Sequence, residues 1–216
     1  MSGLKTRLLT DEWISATWGE YLTAIAELGL DKAQCYYDRG QLRIEMTPQG
    51  FDHSQDNFSI GYAVALFCGL RGIPVAGVAN CSFRKTGDRE AQPDLAFYIG
   101  DNAEAIPADT SVVDLDIYPP PDLAIEIAKT SLADDIGSKR MLYERLGVAE
   151  YWVVNVRQAK LVAFAIANGG SREIAVSQLL PNLPFALLEE ALGRSRATGR
   201  SQIYAWLIAQ MQAIGN

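Results

Sequence analysis

"PPPDLAIEIAKTSLADDIGSKRMLYERLGVAEYWVVN", residues 119–155, decides the fold. It opens on a short apolar run, Leu123–Ala128, which reads as a strand. A segment with helical periodicity follows from Asp134 to Leu146, stops at Gly147, and gives way to a second apolar run, "EYWVVNV". Strand, helix and strand in this order are the unit of an α/β sheet. "LVAFAIA" then returns across Arg157-Gln158-Ala159-Lys160 as the partner strand of a hairpin. Within the first run, alternation sets Asp122, Ala124, Glu126 and Ala128 on one face and Leu123, Ile125 and Ile127 on the other. Four residues at about 3.3 Å each keep Asp122 roughly 13 Å from Glu126, too far for both to bind one ion with about 2.1 Å oxygen bonds.

Pro-Asp-Leu-Ala occurs once more, in "QPDLAF" at 92–97. Asp94 lies on a different strand and escapes that limit. If strands 93–99 and 123–128 are neighbours, about 4.8 Å apart, Asp94 and Glu126 converge on one ion. An ionised glutamate in a buried run is costly unless it is paired or metal-bound; the plain alternative is a half-exposed sheet on which Glu126 faces water. On the following helix, at about 100° per residue, Ile136, Leu142, Tyr143 and Leu146 form one apolar arc with Lys139 in its middle. Snorkelling, an ion pair to Asp135 four residues earlier, or a reach back to Glu126 would each satisfy that lysine. Two carboxylates, a strand-end carbonyl and a lysine form a chemical unit. Asp94, Glu126 and the Ile127 carbonyl would hold Mg²⁺ or Mn²⁺, and Lys139 would orient or deprotonate a water or oppose the charge that builds on a phosphodiester.

Working outward, Thr17-Trp-Gly-Glu20 has capping-box spacing and opens a helix that stops at Gly29. "CYYDRGQLRIEM" predicts a hairpin around Asp38-Arg39-Gly40, broken by Pro48 and Gly50. A largely buried helix is expected from about Ser54 to Leu70 on Phe58, Gly61, Tyr62, Ala65 and Phe67. Strands are expected at 74–79, 81–85 and 93–99, a loop over 100–118, and a last amphipathic helix over 200–214. The sum is a single α/β domain over residues 1–216, a mixed sheet flanked by helices, with an N-terminal helix and hairpin.

With 49% hydrophobic and 21% charged residues, the 216-residue chain has the composition of an ordinary globule with a substantial core. No apolar run approaches the about 18 residues of a membrane span, and the first residues carry no apolar signal region. Three scattered cysteines without a C-x-x-C fit reduced thiols in a cytoplasm, and one histidine makes structural zinc improbable. A net charge of −7 weighs mildly against nonspecific nucleic-acid binding. "FRKTGDR" (83–89) and "GRSRATGR" (193–200) are the two stretches that could form a local basic face; both also read as solvated loops.

These residues resemble the PD-(D/E)XK nuclease superfamily, and more closely its restriction-endonuclease-like branch known as domain of unknown function 820. Pro93-Asp94 followed by Glu126-Ile-Ala is similar to the PD…(D/E)-x-K motif. The likeness extends through "GQLRIEMTPQGFDHS" (40–54), the 119–155 block and "LLPNLPFALLEEAL" (179–192), covering about 15 to 192. The motif lysine would fall at 128, where this chain has Ala128; Lys129 would point to the opposite face of a regular strand. Within the branch the lysine falls on the following helix, here Lys139. The resemblance implies a restriction-endonuclease-like core and a Mg²⁺- or Mn²⁺-dependent endonuclease acting on DNA. Asp94 and Glu126 would be metal ligands, and Lys139, Glu45 and His53 would stand at or near the site. It also suits a homodimer presenting two sites to two strands. The rival is a catalytically silent module for nucleic-acid or protein interaction; a purely structural protein would make Asp94, Glu126 and Lys139 coincidences.

Overall fold

In the computed structural model, which describes residues 11–28, 33–46, 50–197 and 202–214, the two apolar runs of 119–155 become β9 (Leu123–Ala128) and β10 (Glu150–Asn155). They pair in parallel, from Leu123 beside Glu150 to Ala128 beside Asn155. Parallel neighbours need a long crossover, and the helical stretch between them supplies it. That stretch is α3 (Leu132–Asp134), a π-helical turn (Asp135–Lys139) and α4 (Arg140–Leu146). Gly147 ends it at φ 84°, in the left-handed region that costs glycine nothing. Every residue of β9 and β10 is buried, as strands covered on both faces should be.

The chain builds two six-stranded sheets where the sequence pattern predicts one. The first runs β12 (Gly170–Ile174), β11 (Lys160–Ala167), β10, β9, β7 (Leu95–Ile99), β4 (Val75–Ala79). The second runs β1 (Ile14–Ser15), β3 (Gln41–Met46), β2 (Ala33–Asp38), β6 (Arg89–Ala91), β5 (Ser82–Lys85), β8 (Val112–Asp114). Both sheets are mixed: β9–β10 and β5–β8 are parallel, the other pairings antiparallel. Strands as short as β1, β6 and β8 carry too few residues to show alternation, so β8 falls inside the expected 100–118 loop.

One face of the first sheet, with Leu123, Ile125, Ile127, Trp152 and Val154, packs on α2 (Phe51–Leu70), α5 (Phe185–Ala197) and α6 (Ile203–Ala213). The other carries Ala124, Ala128, Tyr151 and Val153 against Leu142, Tyr143 and Leu146 of α4 and Tyr36 of β2. Alanine on either side of Glu126 leaves room there for long polar side chains. The capping box forms as expected at α1 (Trp18–Leu28): Thr17 N–H donates to Glu20 Oε2 at 2.7 Å and Glu20 N–H to Thr17 Oγ1 at 3.3 Å. The hairpin turns through Arg39 and Gly40, both at positive φ. Gly29, Pro48 and Arg200 lie outside the described residues.

Two helical phases differ from expectation. α2 begins at Phe51 and buries Ile60, Ala63, Val64 and Phe67, while Phe58 is 61% exposed and Ala65 also faces water. Its sequence is apolar on several faces, so periodicity does not choose; His53 and Asp56, both buried on the same stripe, set the rotation. In the crossover, the π-helical turn inserts an extra residue, which brings Asp135 inside and turns Ile136 out at 38% exposure. Among the described residues no helix is long and apolar enough to cross a membrane.

Candidate active site

β7 and β9 are antiparallel neighbours with Leu95 opposite Ile125, so the next step sets Asp94 opposite Glu126 on one face. The two are 3% and 2% exposed, and each is surrounded by donors. Asp94 Oδ2 accepts the Ile127 N–H at 2.7 Å and lies 3.4 Å from His53 Nε2, while Oδ1 accepts from Gln34 Nε2 at 3.0 Å. Burial would raise its pKa, but His53, the Ile127 N–H and Lys139 outweigh burial and hold it below the usual carboxylate value. Glu126 Oε1 accepts from Tyr36 OH at 3.1 Å and Tyr143 OH at 2.7 Å. Here burial, with the charges of Asp94, Asp135 and Glu45, outweighs Lys139 and raises the pKa well above normal. The facing pair is therefore electrostatically unlike: one acid pinned in its ionised form, the other pushed toward its protonated form.

Lys139 is 1% exposed, at the end of the π-helical turn. Its Nζ stands 2.9 Å from Glu45 Oε1, 3.0 Å from Asp135 Oδ1 and 3.7 Å from Glu126 Oε2, and 4.2 Å from the centre of the Tyr36 ring. Burial would lower its pKa, but Glu126, Asp135 and Glu45 outweigh it and hold the ammonium charged. Two of the arrangements open from the sequence thus coexist: the i,i+4 pair to Asp135 and the reach toward Glu126. Glu45 also accepts from Arg43 Nε at 2.7 Å; with Lys139, that cation outweighs burial and lowers the Glu45 pKa. Arg43 in turn lies 3.3 Å from Asp134 Oδ2 and donates to the Asp11 carbonyl.

A pocket of about 440 Å³ opens over this cluster, lined by Glu45, His53, Asp94, Glu126, Ile127 and Lys129 among others. Lys139 is not in its wall; it stands behind Glu45 and Glu126. Lys129 is exposed and reaches the pocket because β9 ends at Ala128, so strand alternation no longer governs it. The Ala128 carbonyl accepts from Val156 N–H at 3.1 Å on the β10 side, and alternation turns the Ile127 carbonyl toward the Asp94 side. The donors on offer are two carboxylates and one carbonyl, all oxygen, a set that suits Mg²⁺ or Mn²⁺ completed by waters and phosphate oxygens. Among the described residues no group of three or more His, Cys, Asp or Glu side chains is arranged to hold an ion.

Tyr36, Tyr143 and Gln34, which hold the two acids in place, and Arg43, which holds Glu45, escape sequence reasoning. A signal existed for the tyrosines, since a buried phenol needs a partner for its hydroxyl. Asp122, the decoy, accepts the Ile99 N–H at 2.7 Å and the Asn102 amide at 2.8 Å at the far end of the same strand pair.

The family model named Uma2, described as "Putative restriction endonuclease", matches residues 18–197. No curated protein matches the chain. A crystal structure of "a putative nuclease belonging to DUF820" from Anabaena variabilis superposes with a TM-score of 0.57 at 17% identity, over 82% of this chain and 99% of that one. The likeness is one of fold: mixed sheets flanked by helices.

Proposed function

The chain belongs to the Uma2 family, a PD-(D/E)XK-like nuclease family, and from that premise we propose that it hydrolyses phosphodiester bonds of DNA with Mg²⁺ or Mn²⁺. The observation that carries the reading is Asp94 facing Glu126 across β7 and β9 in the wall of the pocket. Asp94, Glu126 and the Ile127 carbonyl would hold the ion, which supplies Lewis acidity toward a water and the scissile phosphate. His53 steadies Asp94 from the pocket side. Lys139 is a positioning residue: charged and enclosed, it fixes Glu126 and Glu45 and contributes a stationary positive charge, not a base. With three unpaired cysteines the setting proposed is the cytoplasm, and a two-fold dimer would offer one site to each strand of a duplex.

The test is cleavage of plasmid and single-stranded DNA with Mg²⁺ or Mn²⁺, beside Asp94→Asn and Glu126→Gln. Cleavage by the unsubstituted chain that both substitutions abolish is the expected result. Cleavage that survives both overturns the site. No cleavage, with no calorimetric binding of either ion, leaves the catalytically silent module as the reading.

A further inference from the structure

The pocket over Asp94 and Glu126 adjoins a second cavity of about 670 Å³, and His53 and Lys129 line both. Arg157, which follows β10, and Arg196, in the last turn of α5, stand in the second cavity with Asp52 and Asp56. Asp56 is taken by Arg196 at 3.0 Å. Lys129 and Arg157, both exposed, have no ion-pair partner among the described residues. Two cations thus face open space beside a site whose chemistry concerns phosphate.

Elsewhere among the described residues, the cations are paired with acids or line neither cavity. The first pocket is also lined by Asp11, Glu45 and Asp134, and among the described residues Arg43, the cation beside them, is held by Glu45, Asp134 and the Asp11 carbonyl. In the basic stretch 83–89, Arg84 pairs with Glu90 at 2.5 Å, and Arg89 with Asp38 at 3.0 Å and with Asp88; Lys85 is exposed and without an ion pair among the described residues, but it lines neither cavity. Among the described residues of the second basic stretch, Arg196 reaches the cavity. This resolves how a chain of net charge −7 could hold a polyanion: the positive charge is local, and it begins at the site.

We infer that the cavity bounded by Lys129, Arg157 and Arg196 is a phosphate-backbone subsite, which seats the strand flanking the scissile bond. The inference rests on the nuclease reading and adds the direction in which substrate leaves the site. Lys129, at the junction, contacts the phosphate nearest the cleavage point, and Arg157 one farther along.

The test uses binding, not cleavage. The anisotropy of a short fluorescent DNA, single-stranded and duplex, is titrated with the full chain in EDTA across a series of salt concentrations. Lys129→Ala and Arg157→Ala remove no internal ion pair, so both should fold. Each is expected to weaken binding several-fold and to reduce the slope of log K against log salt by about 0.9 for duplex or about 0.7 for single strand, one phosphate contact each. Arg39→Ala, which removes the same charge at the β2–β3 turn, should leave the slope unchanged. If the unsubstituted chain binds DNA and the Lys129→Ala, Arg157→Ala double variant keeps its affinity and slope, the subsite is wrong and the nuclease reading stands. If the unsubstituted chain binds no DNA at low salt in EDTA, the subsite is wrong, and cleavage with Mg²⁺ or Mn²⁺ decides the nuclease reading separately.

Discussion

The two Pro-Asp-Leu-Ala segments form the same local structure at opposite ends of one strand pair. Asp94 Oδ2 accepts the N–H of Ile127, and Asp122 Oδ2 accepts the N–H of Ile99, each at 2.7 Å. On Oδ1, Asp94 takes the Gln34 amide at 3.0 Å and Asp122 the Asn102 amide at 2.8 Å. Because β7 and β9 are antiparallel, each aspartate closes the end of the other's strand. The difference lies across the ladder. Asp94 faces Glu126, His53 and the Lys139 cluster, whereas one step beyond Phe97–Leu123 sets Asp122 opposite Tyr98, whose hydroxyl is spent on the Pro119 carbonyl at 2.9 Å. The tetrapeptide specifies a strand-closing bond; its neighbour on the next strand decides whether that bond belongs to a site.

The sharpest way to break this comparison is to substitute both aspartates alike. Asp94→Asn should lower cleavage about a thousandfold, the several kcal/mol expected of a lost ion ligand. Asp122→Asn should leave cleavage within about threefold and cost about 1 kcal/mol of stability. Equal losses of activity in a plasmid assay would erase the distinction between the two ends.

Next in size is the buried cation that only one end has. Lys139→Met leaves Glu45, Asp135 and Glu126 without their shared counter-charge. Breaking a buried pair costs about 3–5 kcal/mol, or a fall in Tm of about 10 °C for a chain of this size. A melting curve unchanged by Lys139→Met would show that the cluster is relaxed by water.

The facing acids also predict opposite responses to pH. Asp94, held below its ordinary value of 3.8, contributes stability that is present above that value and lost as pH falls through its lowered pKa. Glu126, raised above 4.5, keeps its proton longer in the folded chain, so stability is lost as pH rises past 4.5 toward its raised pKa. Glu126→Gln removes that loss. In EDTA, its advantage over the unsubstituted chain should grow with pH by up to about 1.4 kcal/mol per unit. Urea denaturation at mildly acidic and neutral pH reads it, and parallel curves would mean that Glu126 is ionised throughout.

What was legible from sequence follows the range of the forces involved. β9, β10, the capping box and the Arg39-Gly40 turn are set within a few residues, and their patterns predict them. Lys139 was legible because a charge amid Leu142, Tyr143 and Leu146 is a local anomaly. Asp94 became a candidate through the repeated tetrapeptide. The partners of Glu126 were not legible: Tyr36 and Tyr143 lie 90 and 17 residues away, and each reads as ordinary core until the sheets are assembled. The second sheet was hidden for the same reason, its short strands being defined by their neighbours. Ile136 was misplaced on the apolar arc by the π-helical turn, whose extra residue no regular helical wheel contains.

The smallest effect separates the two amides. Asn102→Ala removes the donor on Asp122 Oδ1 and should cost about 1 kcal/mol while leaving cleavage and DNA affinity alone. Gln34→Ala removes the matching donor on Asp94 Oδ1, along with bonds to Asn80 Oδ1 at 3.0 Å and the Gln92 carbonyl at 3.4 Å. Its stability cost should be similar. Its effect on cleavage should be about tenfold, because a carboxylate free to rotate presents its oxygens less often to the pocket. Calorimetry with Mn²⁺ separates the cases: weaker binding in Gln34→Ala alone means that the amide orients a ligand at one end and only closes a strand at the other. If both variants bind Mn²⁺ as the unsubstituted chain does, the orientation of Asp94 is set by the Ile127 N–H without Gln34, and the two ends are alike in this respect.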